Sequence, residues 1–98
     1  MTINIFQKAG AFAEDKDVAK EIRTKEIIPV LKKNRKVTLN FAGVETATQS
    51  FIHALISDLL RIYGTDVLDK IEFESCNEVV KKMINIVAEY MQASIGTD

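Results

Sequence analysis

The chain has 98 residues, of which 47% are hydrophobic and 28% are charged, and its formal net charge is −1. This length suffices for one core and excludes a second domain, so we expect a single soluble domain over residues 1–98. The sequence has no apolar run of membrane-spanning length and no signal-peptide pattern, so we expect a cytoplasmic protein with no membrane partner. The single cysteine, Cys76, cannot form an internal disulfide, which agrees with a reducing compartment.

The charges are unevenly distributed along the chain. Residues 1–36 hold nine Lys or Arg and five Asp or Glu, whereas residues 37–98 hold four and nine. This distribution favours docking to complementary proteins or to a second copy, and it lacks the dense basic face of a nucleic-acid-binding protein. The sequence has no Cys/His cluster, glycine-rich phosphate loop or paired-carboxylate motif, so we expect no metal and no cofactor.

The first third of the chain predicts a strand followed by a helix. Apolar and polar side chains alternate through residues 2–6, which is typical of a short strand, and residues 7–13 resemble a turn region. Apolar residues at helical spacing then predict a helix that begins near residues 15–17. Pro29 interrupts this pattern, so the helix must kink or restart as a second short helix over residues 30–34.

The middle of the chain predicts a strand, a turn and a helix start. Alternation through residues 37–41 predicts a strand of a sheet that is covered on one face, and Gly43 ends it. Residues 46–49 have the spacing of a capping box, so a helix is predicted to begin between Thr46 and Ser50. Free backbone N–H groups and the helix dipole would stabilise a phosphate on Ser50, and a simple capping role for this serine is the alternative.

The helix predicted from Ser50 to Tyr63 has apolar residues over half of its circumference, which is more than docking on a sheet requires. One side consists of Phe51, Leu55, Leu59 and Ile62, and the other consists of Ile52, Ile56, Leu60 and Tyr63. One of these two sides must therefore have another partner. The partner is either a neighbouring helix of the same chain or the surface of a second protein, including a homodimer.

The last third of the chain predicts a third strand and a final helix. Gly64 is placed to end the preceding helix, and residues 70–74 alternate with two apolar side chains facing inward. Asn77 then caps the last helix. The resulting β-α-β-α-β-α order predicts an α/β fold, with a small, mainly parallel sheet and helices chiefly on one face.

Three segments carry a resemblance to a known family: residues 39–44 (Leu-Asn-Phe-Ala-Gly-Val), residues 49–51 (Gln-Ser-Phe) and residues 71–80. Together they resemble the STAS-like domain family of unassigned function, which is related to the STAS fold of anti-sigma factor antagonists. The resemblance implies a STAS-like fold and a role in protein interaction. In STAS switches a hydroxyl at this helix start is phosphorylated by a partner, an ATPase of the histidine-kinase type, and Ser50 occupies that position. The chain differs from those switches at Thr48, Gln49 and Phe51, where they have an Asp, a first hydroxyl and a glycine.

The leading hypothesis is a non-catalytic interaction or regulatory module that is controlled at Ser50. The predicted interaction surface consists of Gly43, Thr48, Gln49, Ser50, Phe51, Ile52, His53, Ile56 and Leu60. The first alternative is a structural homo-oligomer or accessory subunit that uses the wide apolar helix as a permanent interface. The second is an enzyme that uses Ser50 with His53, or Cys76 with a thiol pKa lowered at a helix start.

Overall fold

The computed structural model describes residues 1–96, with side chains described for residues 1–64 and 66–91. The strands are β1 (Thr2–Asn4), β2 (Phe12–Ala13), β3 (Val37–Asn40), β4 (Thr46–Ala47) and β5 (Ile71–Glu74). The α-helices are α1 (Ile5–Ala9), α2 (Lys16–Ile22), α3 (Ile28–Lys32), α4 (Gln49–Tyr63) and α5 (Glu78–Gly96). A π-helical turn (Arg23–Ile27) joins α2 to α3, and a 3-10 segment (Thr65–Lys70) precedes β5.

The strands form two parallel sheets. The main sheet has the order β1-β3-β5, with Ile3 opposite Leu39 and Leu39 opposite Phe73, and the second sheet pairs β2 with β4. Parallel neighbours require helical crossovers, and the intervening helices provide them. The predicted α/β fold with a small, mainly parallel sheet is therefore confirmed.

The main sheet is covered on one face only. Ile3, Leu39 and Ile71 are buried, whereas Thr38 is half-buried and Glu72 is exposed on the opposite face. On the covered side, α4 packs between α2 and α5. The apolar residues of the strands and helices form one continuous core. This arrangement explains why the strands alternate with a period of two while α4 is apolar over a much wider arc.

The helix around Pro29 continues through a π turn instead of breaking. The backbone N–H of Ile28 donates to the carbonyl of Arg23, five residues earlier, and Pro29 is the second residue of α3. Proline has no N–H and its ring clashes with the carbonyl four residues before it, so a wider turn at this point relieves both problems. The predicted restart at residue 30 is thus two residues late, and α3 ends at Lys32.

The N-terminal segment differs from its prediction. The first strand ends at Asn4 because its side chain accepts a hydrogen bond from the backbone N–H of Gln7, which starts α1 at Ile5. The predicted turn region over residues 7–13 contains the rest of α1 and the two residues of β2. By contrast, Asp15 caps α2, which begins where the sequence predicts. The predicted cap of α5 is also present, since the side chain of Asn77 accepts from the backbone N–H of Val80 at 2.8 Å.

None of the helices within residues 1–96 combines the length and the apolar character needed to cross a membrane.

Candidate functional site

The segments that follow β1, β3 and β5 meet at one edge of the main sheet, because the three strands are parallel. We call the surface formed by residues 5–13, 41–50 and 75–77 the carboxyl edge. The side-chain amide of Asn77 donates to the carbonyls of Val44 (3.3 Å) and Glu45 (2.9 Å). The backbone N–H of Glu45 in turn donates to the carbonyl of Ala11 at 2.8 Å. These bonds connect all three segments.

Ser50 is the second residue of α4 and is exposed at this edge. The predicted position of Ser50 in the first turn is confirmed, but the cap is Thr48, whose hydroxyl accepts from the backbone N–H of Phe51 at 3.1 Å. Thr46, the predicted start of the capping box, belongs to β4 instead. Within the described part of the chain, the Ser50 hydroxyl makes no hydrogen bond. The capping alternative for Ser50 is therefore wrong, since Thr48 fills that role.

Gly43 is in the left-handed region of backbone conformation, with φ of +90°. A Cβ atom at this position would lie 2.9 Å from Cδ2 of the Phe6 ring, which is too close for a normal contact. Glycine is needed here both for the backbone conformation and for the approach of the ring. Gly43 thus shapes the carboxyl edge by letting Phe6 lie against the loop.

Two exposed aromatic side chains lie at the carboxyl edge, and the sequence did not single out either of them. Phe6 is 43% exposed, and Phe12 is 60% exposed in β2, opposite Thr46 of β4. Aromatic side chains are enriched at protein interfaces, so two exposed rings at one edge make this edge a candidate docking surface. Neither exposed ring was predictable, because α1 and β2 are too short to produce a periodic pattern in the sequence.

The apolar part of the predicted interaction surface is wrong. Ile52, Ile56 and Leu60 are each at most 1% exposed, and Phe51 is fully buried. Because α4 lies between α2 and α5 on the sheet, helices of the same chain cover this second apolar side. The end of α4 is an exception, since Ile62 is 65% exposed and Tyr63 is 37% exposed, so neither belongs to a covered side. This correction removes the buried side chains from any interface and leaves Gly43, Thr48, Gln49 and Ser50 exposed.

His53 lies one turn after Ser50 and is half-buried. No hydrogen bond joins Ser50 to His53 within the described residues. The nearest carboxylate on the helix, Asp58, accepts from Arg61 at 2.8 Å and pairs with Arg23 at 3.1 Å. Asp58 is thus held by two guanidinium groups, and this geometry does not orient His53 as a base.

Cys76 is half-buried in a groove of about 210 Å³ between β5 and α5. Burial raises the pKa of the Cys76 thiol, and the nearby Lys81 ammonium offsets part of this effect. The hypothesis of a thiol with a lowered pKa is therefore wrong, because desolvation outweighs the single nearby cation. Within residues 1–96, no cluster of His, Cys, Asp or Glu side chains is arranged to hold a metal ion.

Arg23 is a buried charge that was not predicted from the sequence. It is 7% exposed, and its guanidinium donates to the carbonyl of Ala54 at 2.6 Å while it pairs with Asp58. These contacts join the π turn to α4. The only sequence signal is that Arg23 directly follows Ile22, inside an otherwise apolar helical stripe.

The basic run at residues 32–36 lies at the opposite end of the molecule from Ser50. It connects the end of α3 to the start of β3, and its four cationic side chains are exposed. The start of a parallel strand is at the amino edge of the sheet, whereas Ser50 lies at the carboxyl edge. These cations therefore do not face Ser50.

A family model described as a STAS-like domain of unknown function (DUF4325) matches residues 18–81, about two-thirds of the chain. No curated protein and no solved structure matches the chain. The matched residues include β3, β5, the whole of α4 and the loop that contains Gly43. Phe6 and Phe12 lie before the matched segment.

Proposed function

Because the chain belongs to the family of STAS-like domains of unknown function, we propose that it is a non-catalytic protein-interaction module that docks through its carboxyl edge. The observation that carries this proposal is the exposure of Ser50, whose hydroxyl has no hydrogen-bond partner among the described residues, at the same edge as Phe6 and Phe12. A parallel α/β sheet usually presents its binding site at this edge, because the loops that follow its strands gather there.

Two exposed aromatic rings supply the apolar part of the docking surface. Phe6 rests on Gly43 and Phe12 projects from the short β2–β4 sheet, so both rings are held by ordered backbone. The backbone N–H of Thr48 donates to the carbonyl of Ala13 at 2.9 Å, which fixes β2 beside the start of α4. A rigid surface of this kind binds a partner with little loss of conformational entropy.

Ser50 supplies the control of this surface. Phosphorylation would add about −1.5 to −2 charges at neutral pH. The backbone N–H groups of Gln49 and Ser50 have no acceptor within the described residues, and the positive end of the α4 dipole also favours an anion there. The added charge therefore leaves the fold intact and changes only the docking surface, where it repels an acidic or apolar partner face.

The proposed partner class is an ATPase of the histidine-kinase type, because Ser50 occupies the position of the phosphorylated hydroxyl in STAS switches. The residues around Ser50 differ from those of STAS switches, so a partner must recognise this chain through other side chains. Thr48 caps the helix and Gln49 is exposed, whereas Phe51 is buried and unavailable to a partner. We therefore expect a partner to recognise Gln49 and the two aromatic rings.

The test is affinity capture from cells that express the protein naturally, with wild type and three variants as bait. Ser50→Asp adds a charge at the edge, Phe12→Ala removes an exposed ring, and Asn34→Asp adds the same charge at an exposed position of the basic run, at the opposite end of the main sheet. Recovery of an ATP-binding protein of the histidine-kinase fold by wild type and Asn34→Asp, but not by the other two, supports the proposal. Recovery of the same proteins by all four baits would refute it.

Mass spectrometry of the protein purified from the same cells tests the control step separately. A phosphate on Ser50 in part of the population supports a switch. A partner that depends on Phe12, together with a Ser50 that is never modified, would leave the docking surface in place and remove the switch.

A further inference from the structure

The last helix carries a second apolar stripe that the monomer does not cover. Val79 is 52% exposed, Ile86 is 42% exposed and Tyr90 is 63% exposed, and Met83 between them is half-buried. Their spacings of four, three and four residues place all four on one line along α5. We call these four residues the α5 stripe.

The α5 stripe is separate from the side of α5 that packs in the core. The core side consists of Val80, Ile84, Val87 and Met91. Each core residue follows a stripe residue by one position, which rotates it by about 100° around the helix. The apolar surface of α5 therefore extends from the core onto the exposed side, where a soluble monomer would normally have polar residues.

The charges beside the α5 stripe are arranged to match a second copy of the same helix. Lys82 and Glu89 flank the stripe on its solvent side, about two turns apart, and Glu78 lies on the same side one turn before Lys82. None of the three takes part in a salt bridge within the described residues. Opposite charges at two points along one stripe face each other when two such stripes run antiparallel, so the surface is complementary to itself.

The geometry points to an antiparallel homodimer in which the α5 stripes of two copies pack against each other. In this arrangement Met83 of one copy faces Ile86 of the second copy, and Val79 faces Tyr90 at both ends. Each Lys82 then lies beside Glu89 of the second copy, so the twofold axis produces two equivalent ion pairs. A parallel pair would instead place each Lys82 beside a position that is buried in its own core, and it would form no such ion pair.

The size of the α5 stripe predicts how tight this dimer is. Its exposed apolar area is on the order of 300 Å² per copy, which is at the lower end of functional patches and below the area of a standard stable interface. We therefore expect a reversible dimer whose population rises with protein concentration. The surface is distinct from the carboxyl edge, so the dimer does not depend on the proposed function.

The first experiment is sedimentation velocity of wild type and Ile86→Glu over a wide range of protein concentration. Wild type should pass from monomer to dimer, and Ile86→Glu should stay monomeric at every concentration. Circular dichroism checks that the variant keeps its fold, which we expect because Ile86 is outside the core. A wild type that remains monomeric at the highest concentration overturns the proposal.

Charge exchange then tests the antiparallel pairing. Lys82→Glu and Glu89→Lys should each weaken the dimer about tenfold, because each places like charges together, and the double variant should restore it. Lys81→Glu is the matched control, since it makes the same charge change on the adjacent exposed residue, away from the stripe. A dimer that is unchanged by Lys82→Glu, or a double variant that is no better than the single variants, would contradict the antiparallel pairing.

Discussion

The contact between Arg23 and Asp58 gives the sharpest prediction about stability. Asp58→Ala leaves the guanidinium of Arg23 buried, with the carbonyl of Ala54 as its remaining partner. Removing one partner of a fully buried ion pair costs about 3–5 kcal/mol. The Asp58 side chain is 34% exposed, so water partly replaces it. We therefore expect a loss of about 2 kcal/mol in the free energy of unfolding, which lowers the melting temperature by about 10 °C.

The same reasoning predicts a different result when the cation is removed first. Arg23→Met keeps most of the side-chain volume and removes the charge that must be desolvated, so it should change stability by less than about 1 kcal/mol. In the Arg23→Met background, Asp58→Ala should cost only about 0.5 kcal/mol, because just the exposed pair with Arg61 is lost. The coupling energy between the two positions is then about 1.5 kcal/mol.

Urea unfolding of wild type, the two single variants and the double variant measures this cycle. The urea concentration at the unfolding midpoint should shift in proportion to each change in stability. The slope of the unfolding free energy against urea concentration should stay constant, because the folded state buries the same surface. Arg61→Met is the control: its side chain is 65% exposed, and it should change stability by less than about 0.5 kcal/mol. If Asp58→Ala costs the same with and without Arg23, the argument from a buried charge is refuted.

Three further predictions concern the carboxyl edge. Gly43→Ala should destabilise the fold by about 1–2 kcal/mol, because alanine is strained at a positive φ and its Cβ atom would lie too close to the Phe6 ring. An effect of the same size in a Phe6→Ala background would show that the ring contributes nothing to this cost. Thr48→Ala should cost about 1 kcal/mol through loss of the α4 cap, and an unchanged urea midpoint would contradict that role. The raised pKa of Cys76 means that folded protein should react with iodoacetamide more slowly than unfolded protein at neutral pH and faster as the pH rises. Lys81→Gln should slow this reaction further by removing the cation that lowers the pKa, and a faster reaction would contradict the assigned cause.

The regular elements were predictable because each repeats a period that packing imposes. Residues 37–41 alternate because one face of the sheet is covered and the other is open. Helix ends were equally accessible where one residue determines them. Gly64 follows the last residue of α4 and has a positive φ of +78°, and the side chain of Asn77 caps the first turn of α5.

The remaining features depend on residues that are distant in sequence. β2 and β4 have two residues each, so neither shows a period, and their pairing depends on a contact between Phe12 and Thr46. The sequence of α4 shows how wide its apolar arc is, but only the positions of α2 and α5 show what covers Ile52 and Ile56. For the same reason, Ser50 was found from a local pattern, whereas the exposed rings beside it were missed.

The strand order β1-β3-β5 also determines how the chain has to fold. Paired strands in the main sheet are about 35 positions apart, and no hairpin joins any of them. Each pairing must therefore close a long loop before its contacts form, which slows folding relative to a bundle of helices. During synthesis, α4 emerges before the strand and helix that complete its surroundings, so its apolar side stays uncovered until then. The nascent chain is consequently most prone to aggregate after α4 has emerged and before α5 has packed against it.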